Sequence, residues 1–334
     1  MEVVMIKNDS QCKWFNNQVI QKVFPDMIES ALDPNRKTKY MIKDWISNDH
    51  GRVGADLGWL KQLGLPVIET YKDLPKNNNF IIVNTGYDSI IEEEKVLKEK
   101  NIEIEDRPCP YVRKLRTLFE NIDEKYQYIL LCEKNHILIK NFKSLFPEDM
   151  ILVQMGNYKE RIKKQWNGKP IVFVPYVTFL PRHIDEIADY IHEVCPNVEC
   201  QVIRSTCMWA SSPVSPITEI KNMSQEKLEG IKDALVTATK GSSNKSLMSL
   251  CEILEERGLN VVKICSLKEY RDYERKHKND KVLLVRSPIP NKAEKEVMLY
   301  IQHGLIKSRF ILLSDNIKLY RRRKKVEHAL AQQQ

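Results

Sequence analysis

The stretch Glu103-Ile104-Glu105-Asp106-Arg107-Pro108-Cys109-Pro110-Tyr111 joins a short strand to a helix through a cysteine. Alternation up to Asp106 is the period of a half-buried strand, and Val112 to Ile122 carries apolar residues at helical spacing. The same arrangement stands around Cys12, after Val3-Val4-Met5-Ile6, and around Cys207, after Gln201-Val202-Ile203. The three cysteines are 97 (109 − 12) and 98 (207 − 109) residues apart. A period of one small α/β unit predicts three similar units in a pseudo-threefold arrangement, each giving one thiolate to a shared centre. The corresponding segments are 1–108, 109–206 and 207–318, followed by a basic polar tail at 319–334.

Outward from the cysteines, the chain alternates strand and helix. Met41 to Ile46 reads as a strand or short helix, and Leu57 to Leu63 reads as a helix stopped at Gly64. Phe80-Ile81-Ile82-Val83 is a buried strand that delivers the turn Asn84-Thr85-Gly86-Tyr87-Asp88, and Ile90 to Lys100 is a charged amphipathic helix. Tyr128 to Cys132 and Ile171 to Val174 are strands, and Ile184 to Val194 is a helix. Ala234 to Thr237, Val261 to Ile264 and Val282 to Val285 are strands, with a helix at Leu247 to Glu256. This rhythm indicates α/β units with mostly parallel sheets.

The bulk numbers fit that class. A chain of 334 residues with 42% hydrophobic and 29% charged residues belongs to the soluble globular range, and cytoplasmic residence is the expectation. It contains no apolar run of membrane-spanning length. Eight cysteines without an export signal argue for reduced thiols, some binding metal, rather than a disulfide framework. A net charge of +8 points to acidic partners: small phosphorylated molecules, an acidic electron carrier or nucleic acid. The run Arg321-Arg322-Arg323-Lys324-Lys325 has no interleaved aromatic residues, so it reads as a solvated end and nucleic acid is not expected.

Ligands of α/β units gather beyond the carboxyl ends of the strands. Cys12, Cys109 and Cys207 all stand at such ends, two of them just before a helix whose N-terminus favours a thiolate. Three thiolates without a fourth at matching period fit an iron–sulfur cluster with one iron left open. A zinc site completed by His136 is the metal alternative. The other cysteines read as structural: Cys132 and Cys265 in apolar strands, Cys251 on a helix, Cys195 and Cys200 in a loop. Gly241-Ser242-Ser243-Asn244 follows a strand and opens a helix, a seat for phosphate or carboxylate that lacks the lysine of a Walker A loop. His50 and His136 lie in post-strand turns, as do Thr178 and Ser287.

These residues resemble the hydroxymethylbutenyl diphosphate reductases, the LytB family, over most of the chain. Asp106-Arg-Pro-Cys109-Pro-Tyr-Val-Arg-Lys114 is similar to the family's Asp-Ala-Thr-Cys-Pro-Leu-Val-x-Lys. Leu130-Leu-Cys-Glu-Lys-Asn-His136 resembles its Gly-His-x-Gly-His, and Gly241-Ser242-Ser243-Asn244 its Ser-Ser-Asn loop. Cys12 and Cys207 fall where its other cluster cysteines belong. The resemblance implies a [4Fe-4S] cluster ligated by Cys12, Cys109 and Cys207, with the open iron acting as a Lewis acid toward a substrate hydroxyl that leaves as water after two-electron reduction. It further implies that histidines, here His136 with His50 as a displaced candidate, and the Ser242-Ser243-Asn244 loop bind a small anionic substrate. Position after a strand, not the resemblance, adds Thr178 and Asp88 to His136 as catalytic candidates and Ser287 as a substrate-binding one. Ferredoxin or flavodoxin is the implied electron donor, as no flavin or nicotinamide motif is present.

The departures are concentrated in the chemistry. The family's glutamate two residues after the histidine is Leu138, which cannot relay a proton. The histidine of its His-Gly-Val-Ser-Pro motif is Thr85, the glycines after its first cysteine are Lys13 and Trp14, and its first-unit histidine has only a displaced counterpart in His50. Retained cluster ligands with altered substrate groups lead to the expectation of an iron–sulfur reductase on a changed anionic substrate. The alternatives are the ordinary diphosphate reductase, strongly diverged, and a non-catalytic protein that keeps the fold and cluster for sensing or binding.

Overall fold

Parallel pairing governs the architecture. The structure, a computed structural model, describes residues 1–5, 35, 39–43, 67–68, 74, 80–86, 91–134, 136–207, 215–238, 245–286 and 293–304. The first sheet contains β2 (Lys39–Lys43), β3 (Val67–Ile68), β4 (Phe80–Gly86) and β5 (Glu103–Pro108), in the order β3-β2-β4-β5. The second contains β6 (Gln127–Leu131), β7 (Ile151–Val153), β8 (Ile171–Pro175) and β9 (Cys200–Val202), in the order β7-β6-β8-β9. The third contains β10 (Ile231–Thr237), β11 (Asn260–Ile264), β12 (Lys281–Val285) and the N-terminal strand β1 (Glu2–Met5), in the order β1-β12-β10-β11. Every described pairing is parallel.

One plan serves all three sheets. The second strand flanks the first on one side, and the third and fourth follow on the other. In the third sheet the fourth place is taken by β1, which aligns Glu2 with Lys281 and Met5 with Leu284. The division at residues 108 and 206 does not anticipate this crossover, because a four-residue strand carries no local mark of its partner. Each fourth strand leads to one of the periodic cysteines: β5 to Cys109, β9 to Cys207, and β1, along the sequence, to Cys12. The near-equal spacing is therefore the length of one sheet plus its connections.

Apolar content explains the central strands. All five residues of β6 and of β8 are buried, as parallel strands covered on both faces require. Helix Pro110–Glu120 starts two residues before the Val112 expected from periodicity, since proline at the first helical position costs no hydrogen bond. Its Val112, Leu115 and Phe119 point into the second unit's core. Helix Pro181–Val194 likewise begins with proline, and Ile184, Ile187, Ala188 and Ile191 line its buried face. Cys265 lies just past the end of β11 and is partly buried, whereas Cys132 and Cys251 are buried. No helix among the described residues is long and apolar enough to cross a membrane.

The units meet through both apolar and polar contacts. Leu180, at the start of helix Pro181–Val194, belongs to the third unit's core cluster. From the same helix Arg182 Nη2 bonds Glu252 Oε1 at 2.7 Å, and His183 Nε2 lies 3.0 Å from that oxygen, on helix Lys245–Glu256. Between the first and second units, Arg116 holds Glu94 with two parallel bonds of 2.6 and 2.9 Å.

Gln127 closes the amino end of the second sheet. Only 1% exposed, it donates through Nε2 to the carbonyls of Asp149 (2.8 Å) and Gln165 (3.1 Å) and accepts from the Asn167 amide (3.0 Å). Replacing it with leucine strands those backbone groups. Gln127→Leu is expected to destabilise the protein by about 2–4 kcal/mol, read as a lower midpoint in urea unfolding.

Candidate functional site

Strand order locates the site. In a sheet of this plan the chain leaves the first and third strands in opposite directions, and a crevice opens between their carboxyl ends. In the second sheet those strands are β6 and β8. The turn after β6 carries Glu133 and His136, and the turn after β8 carries Tyr176, Val177 and Thr178. The fourth strand, β9, runs on to Cys207.

Backbone bonds continue the pairing beyond the strands. The Tyr176 amide donates to the Leu131 carbonyl (2.9 Å), the Ile203 amide to Phe173 (2.9 Å), and the Cys207 amide to Val177 (2.7 Å). The last bond places the backbone of Cys207 beside Thr178. Cys207 is partly buried and packs against the cores of both the second and the third units. Cys109, also partly buried, is the N-cap of helix Pro110–Glu120 and packs against the second unit's core. Its side chain caps no helix amide.

His136 has a defined ring orientation. It is the N-cap of helix Ile137–Phe142, and its Nδ1 accepts the Leu138 amide at 3.1 Å. A neutral ring with an accepting Nδ1 carries its proton on Nε2. Tyr176 packs on it with ring centroids 4.2 Å apart and planes inclined by 54°. Leu138 is 1% exposed and sits within the core, so no acid occupies that position. Glu133, in the same turn, accepts from Gln154 Nε2 at 2.7 Å.

Thr178 differs from these satisfied groups. Its carbonyl accepts a 3.4 Å bond from Ser249 Oγ across the unit boundary, while its own Oγ1 is buried without a hydrogen-bond partner. An unmade bond at a buried hydroxyl costs about 1–3 kcal/mol.

Of the residues singled out from sequence, Cys109, Cys207, His136 and Thr178 are thus described, and the last three follow strands of one sheet. Cys12, His50, Asp88, Ser242, Ser243, Asn244 and Ser287 lie outside the described residues. Tyr176 and Ser205 were not anticipated. Position alone could have marked Tyr176, the residue directly after β8. Nothing local marked Ser205.

None of the seven described cysteines forms a disulfide. Their chemical environments separate them. Burial pushes the Cys132 thiol far above its ordinary range and raises Cys195 and Cys251; it also lifts Cys200, with Cys195 adding to the effect, to about 11.

A three-sheet parallel α/β protein with thiols after its fourth strands is the class that these features define. A family model described as LytB protein matches residues 25–300, and the chain belongs to that family. The 4-hydroxy-3-methylbut-2-enyl diphosphate reductase of Helicobacter pylori (strain Shi470) is 27% identical over 139 residues, covering 41% of this chain and 49% of that protein. The reductase of the same name from Wolbachia sp. subsp. Brugia malayi (strain TRS) is 23% identical over 221 residues, 65% of this chain and 66% of that protein. The chain spans about half the length of the first of these curated relatives. Among solved structures, the E-1-hydroxy-2-methyl-but-2-enyl-4-diphosphate reductase from Plasmodium falciparum shares the fold with a TM-score of 0.69 at 18% identity, over 90% of this chain and 87% of that one. A second solved reductase, described as the terminal enzyme of the non-mevalonate pathway, has a TM-score of 0.53 at 19% identity, over 90% and 99% of the two chains.

The family implies a [4Fe-4S] cluster, and the donors in this structure fit one. Iron–sulfur clusters take thiolate ligands. Two partly buried thiols outside any disulfide stand beyond the fourth strands, and a buried hydroxyl without a partner borders one of them. Among the described residues no three metal-binding side chains come together, and the third thiol, Cys12, lies outside them.

Because the thiolate is the reactive form, a raised pKa slows alkylation until the pH approaches it. Cys200 is expected to react slowly with iodoacetamide at pH 8 and to keep accelerating toward pH 11, while Cys132 stays unlabelled until the protein unfolds. Peptide mapping by mass spectrometry after timed labelling reads both outcomes.

Proposed function

We propose that this chain is an iron–sulfur reductase that removes a hydroxyl as water from a small anionic substrate other than the diphosphate named for its relatives. The balance is R–OH + 2 e⁻ + 2 H⁺ → R–H + H₂O: a C–O bond breaks and a C–H bond forms. The observation that carries the reading is the convergence of Cys207, Thr178 and His136 on one sheet edge, with a leucine where the family has its acid.

Cys12, Cys109 and Cys207 are the residues that would hold the cluster. When bound, a [4Fe-4S] cluster supplies single electrons and one Lewis-acidic iron. The chain's own side chains do the remainder. His136, held by the Leu138 amide, presents Nε2–H as a donor to a substrate oxygen. The Thr178 hydroxyl offers a buried donor and acceptor to the same molecule. Ser242, Ser243 and Asn244 follow β10, and Ser287 follows β12, so they would bind the anionic end from the third unit's crevice. Asp88 follows β4 and His50 follows β2 in the sequence, as their counterparts in chain order. Tyr87, Asp88, His50 or Glu133 supplies the proton that Leu138 cannot. The formal charge of +8 suits an acidic donor protein, ferredoxin or flavodoxin.

Anaerobic purification is expected to give a brown protein containing iron and sulfide. Cys109→Ser and Cys207→Ser should each drop the iron content to near background while the far-ultraviolet circular dichroism is kept. A colourless, iron-free wild type after reconstitution would overturn the reading.

The change of substrate has its own test. The unmodified chain is expected not to support growth of a strain lacking its 4-hydroxy-3-methylbut-2-enyl diphosphate reductase, because position 138 carries no acid. Growth restored by the unmodified chain would place it among the ordinary reductases; growth restored only by Leu138→Glu would tie the difference to that position.

A further inference from the structure

Two buried hydroxyls have no hydrogen-bond partner among the described residues: Thr178 Oγ1 and Ser205 Oγ. Both border Cys207. Thr178 follows Val177, whose carbonyl takes the Cys207 amide, and Ser205 precedes the cysteine by two residues. Other described hydroxyls are engaged: Ser215 and Ser224 cap helices, and Ser249 bonds the Thr178 carbonyl. Two such hydroxyls, one next to the residue that Cys207 bonds and one two residues before Cys207, point to this segment as a place where an outside acceptor is received.

The loop before Cys207 narrows what that acceptor meets. The Ile203 amide bonds Phe173, the Ser205 amide bonds the Ile203 carbonyl at 2.9 Å to form a γ-turn at Arg204, and the Cys207 amide bonds Val177. Those three amides are committed to the protein and cannot serve a sulfur atom. The Ser205 hydroxyl is held on the same pinned loop and is not committed.

We infer that Ser205 donates its hydroxyl hydrogen to a sulfur of the group held at Cys207 and thereby raises that group's reduction potential. The inference rests on the iron–sulfur reading above. A hydrogen bond to sulfur favours the reduced cluster, which carries the extra negative charge. Thr178, in the turn after β8, is left to the substrate.

The test compares wild type, Ser205→Ala and Ser205→Thr, each reconstituted anaerobically and titrated against redox mediators with the cluster's electron paramagnetic resonance signal as readout. At fixed poise the ratio of reduced to oxidised cluster should fall about tenfold in Ser205→Ala, equivalent to about 59 mV for a one-electron couple. Ser205→Thr keeps the hydroxyl and should stay close to wild type. In the metal-free proteins, Ser205→Ala should melt at the wild-type temperature or above, because it removes a hydroxyl that bonds nothing in the protein. A wild-type midpoint in Ser205→Ala overturns the inference, as does a metal-free Ser205→Ala that melts lower or fails to fold. If wild type itself takes up no cluster, the inference falls together with the functional reading; if wild type takes it up and only the shift is missing, the inference falls alone.

Discussion

The hydrogen bond from the Cys207 amide to the Val177 carbonyl, 2.7 Å long, ties the thiol to the sheet. It extends the pairing of β8 and β9 past the last residue of either strand. Without it, the segment from Ile203 to Cys207 would leave the sheet at the γ-turn and the cysteine would have no fixed relation to Thr178. With it, Cys207, Thr178 and His136, which follow the neighbouring strands β9, β8 and β6, share one carboxyl edge. The bond is short, lies at a residue that packs against two cores, and joins groups that have no local reason to meet.

That edge exists because every described strand pair is parallel. Parallel sheets bring all carboxyl ends to one side, and loops on that side can differ while the strands stay alike. The common strand order makes the arrangement repeat. His50, Asp88, His136, Thr178, Asn244 and Ser287 all follow a first or third strand in sequence, and the three periodic cysteines all follow a fourth. Two kinds of residue therefore follow two kinds of strand along the chain. The borrowed strand β1 completes the scheme, since without it the third sheet would lack the strand that leads to Cys12.

The units are oriented mainly by packing. Leu180 reaches into the neighbouring core, and Cys207 touches two cores. The ion pairs at the same boundaries are partly exposed, as Arg182 and Glu252 are, and such pairs contribute on the order of 0–1 kcal/mol each. Arg116 is better placed, being largely covered and joined to Glu94 by both nitrogens of its fork, which fixes geometry as well as charge. A polar boundary of this kind sets angle and register, while the apolar residues provide most of the cohesion.

Much of this was written in local sequence. The apolar runs of β6 and β8 announce buried parallel strands, Pro110 and Pro181 sit at helix starts, and the cysteine period reports three like units. Leu138, two residues after His136, is read from the sequence directly as a side chain that carries no proton. What the chain does not spell out are contacts between distant segments. Pairing of β1 with β12 joins residues about as far apart as the described chain allows, and four residues cannot encode a partner. The Nδ1 bond of His136, the three bonds of Gln127 and the solitary hydroxyl of Ser205 depend on atoms brought together only by folding. Residue type and spacing determined which groups are available and which end of a strand they follow; the tertiary structure alone decided which of them share an edge, because hydrogen bonding and burial act through space and not along the chain.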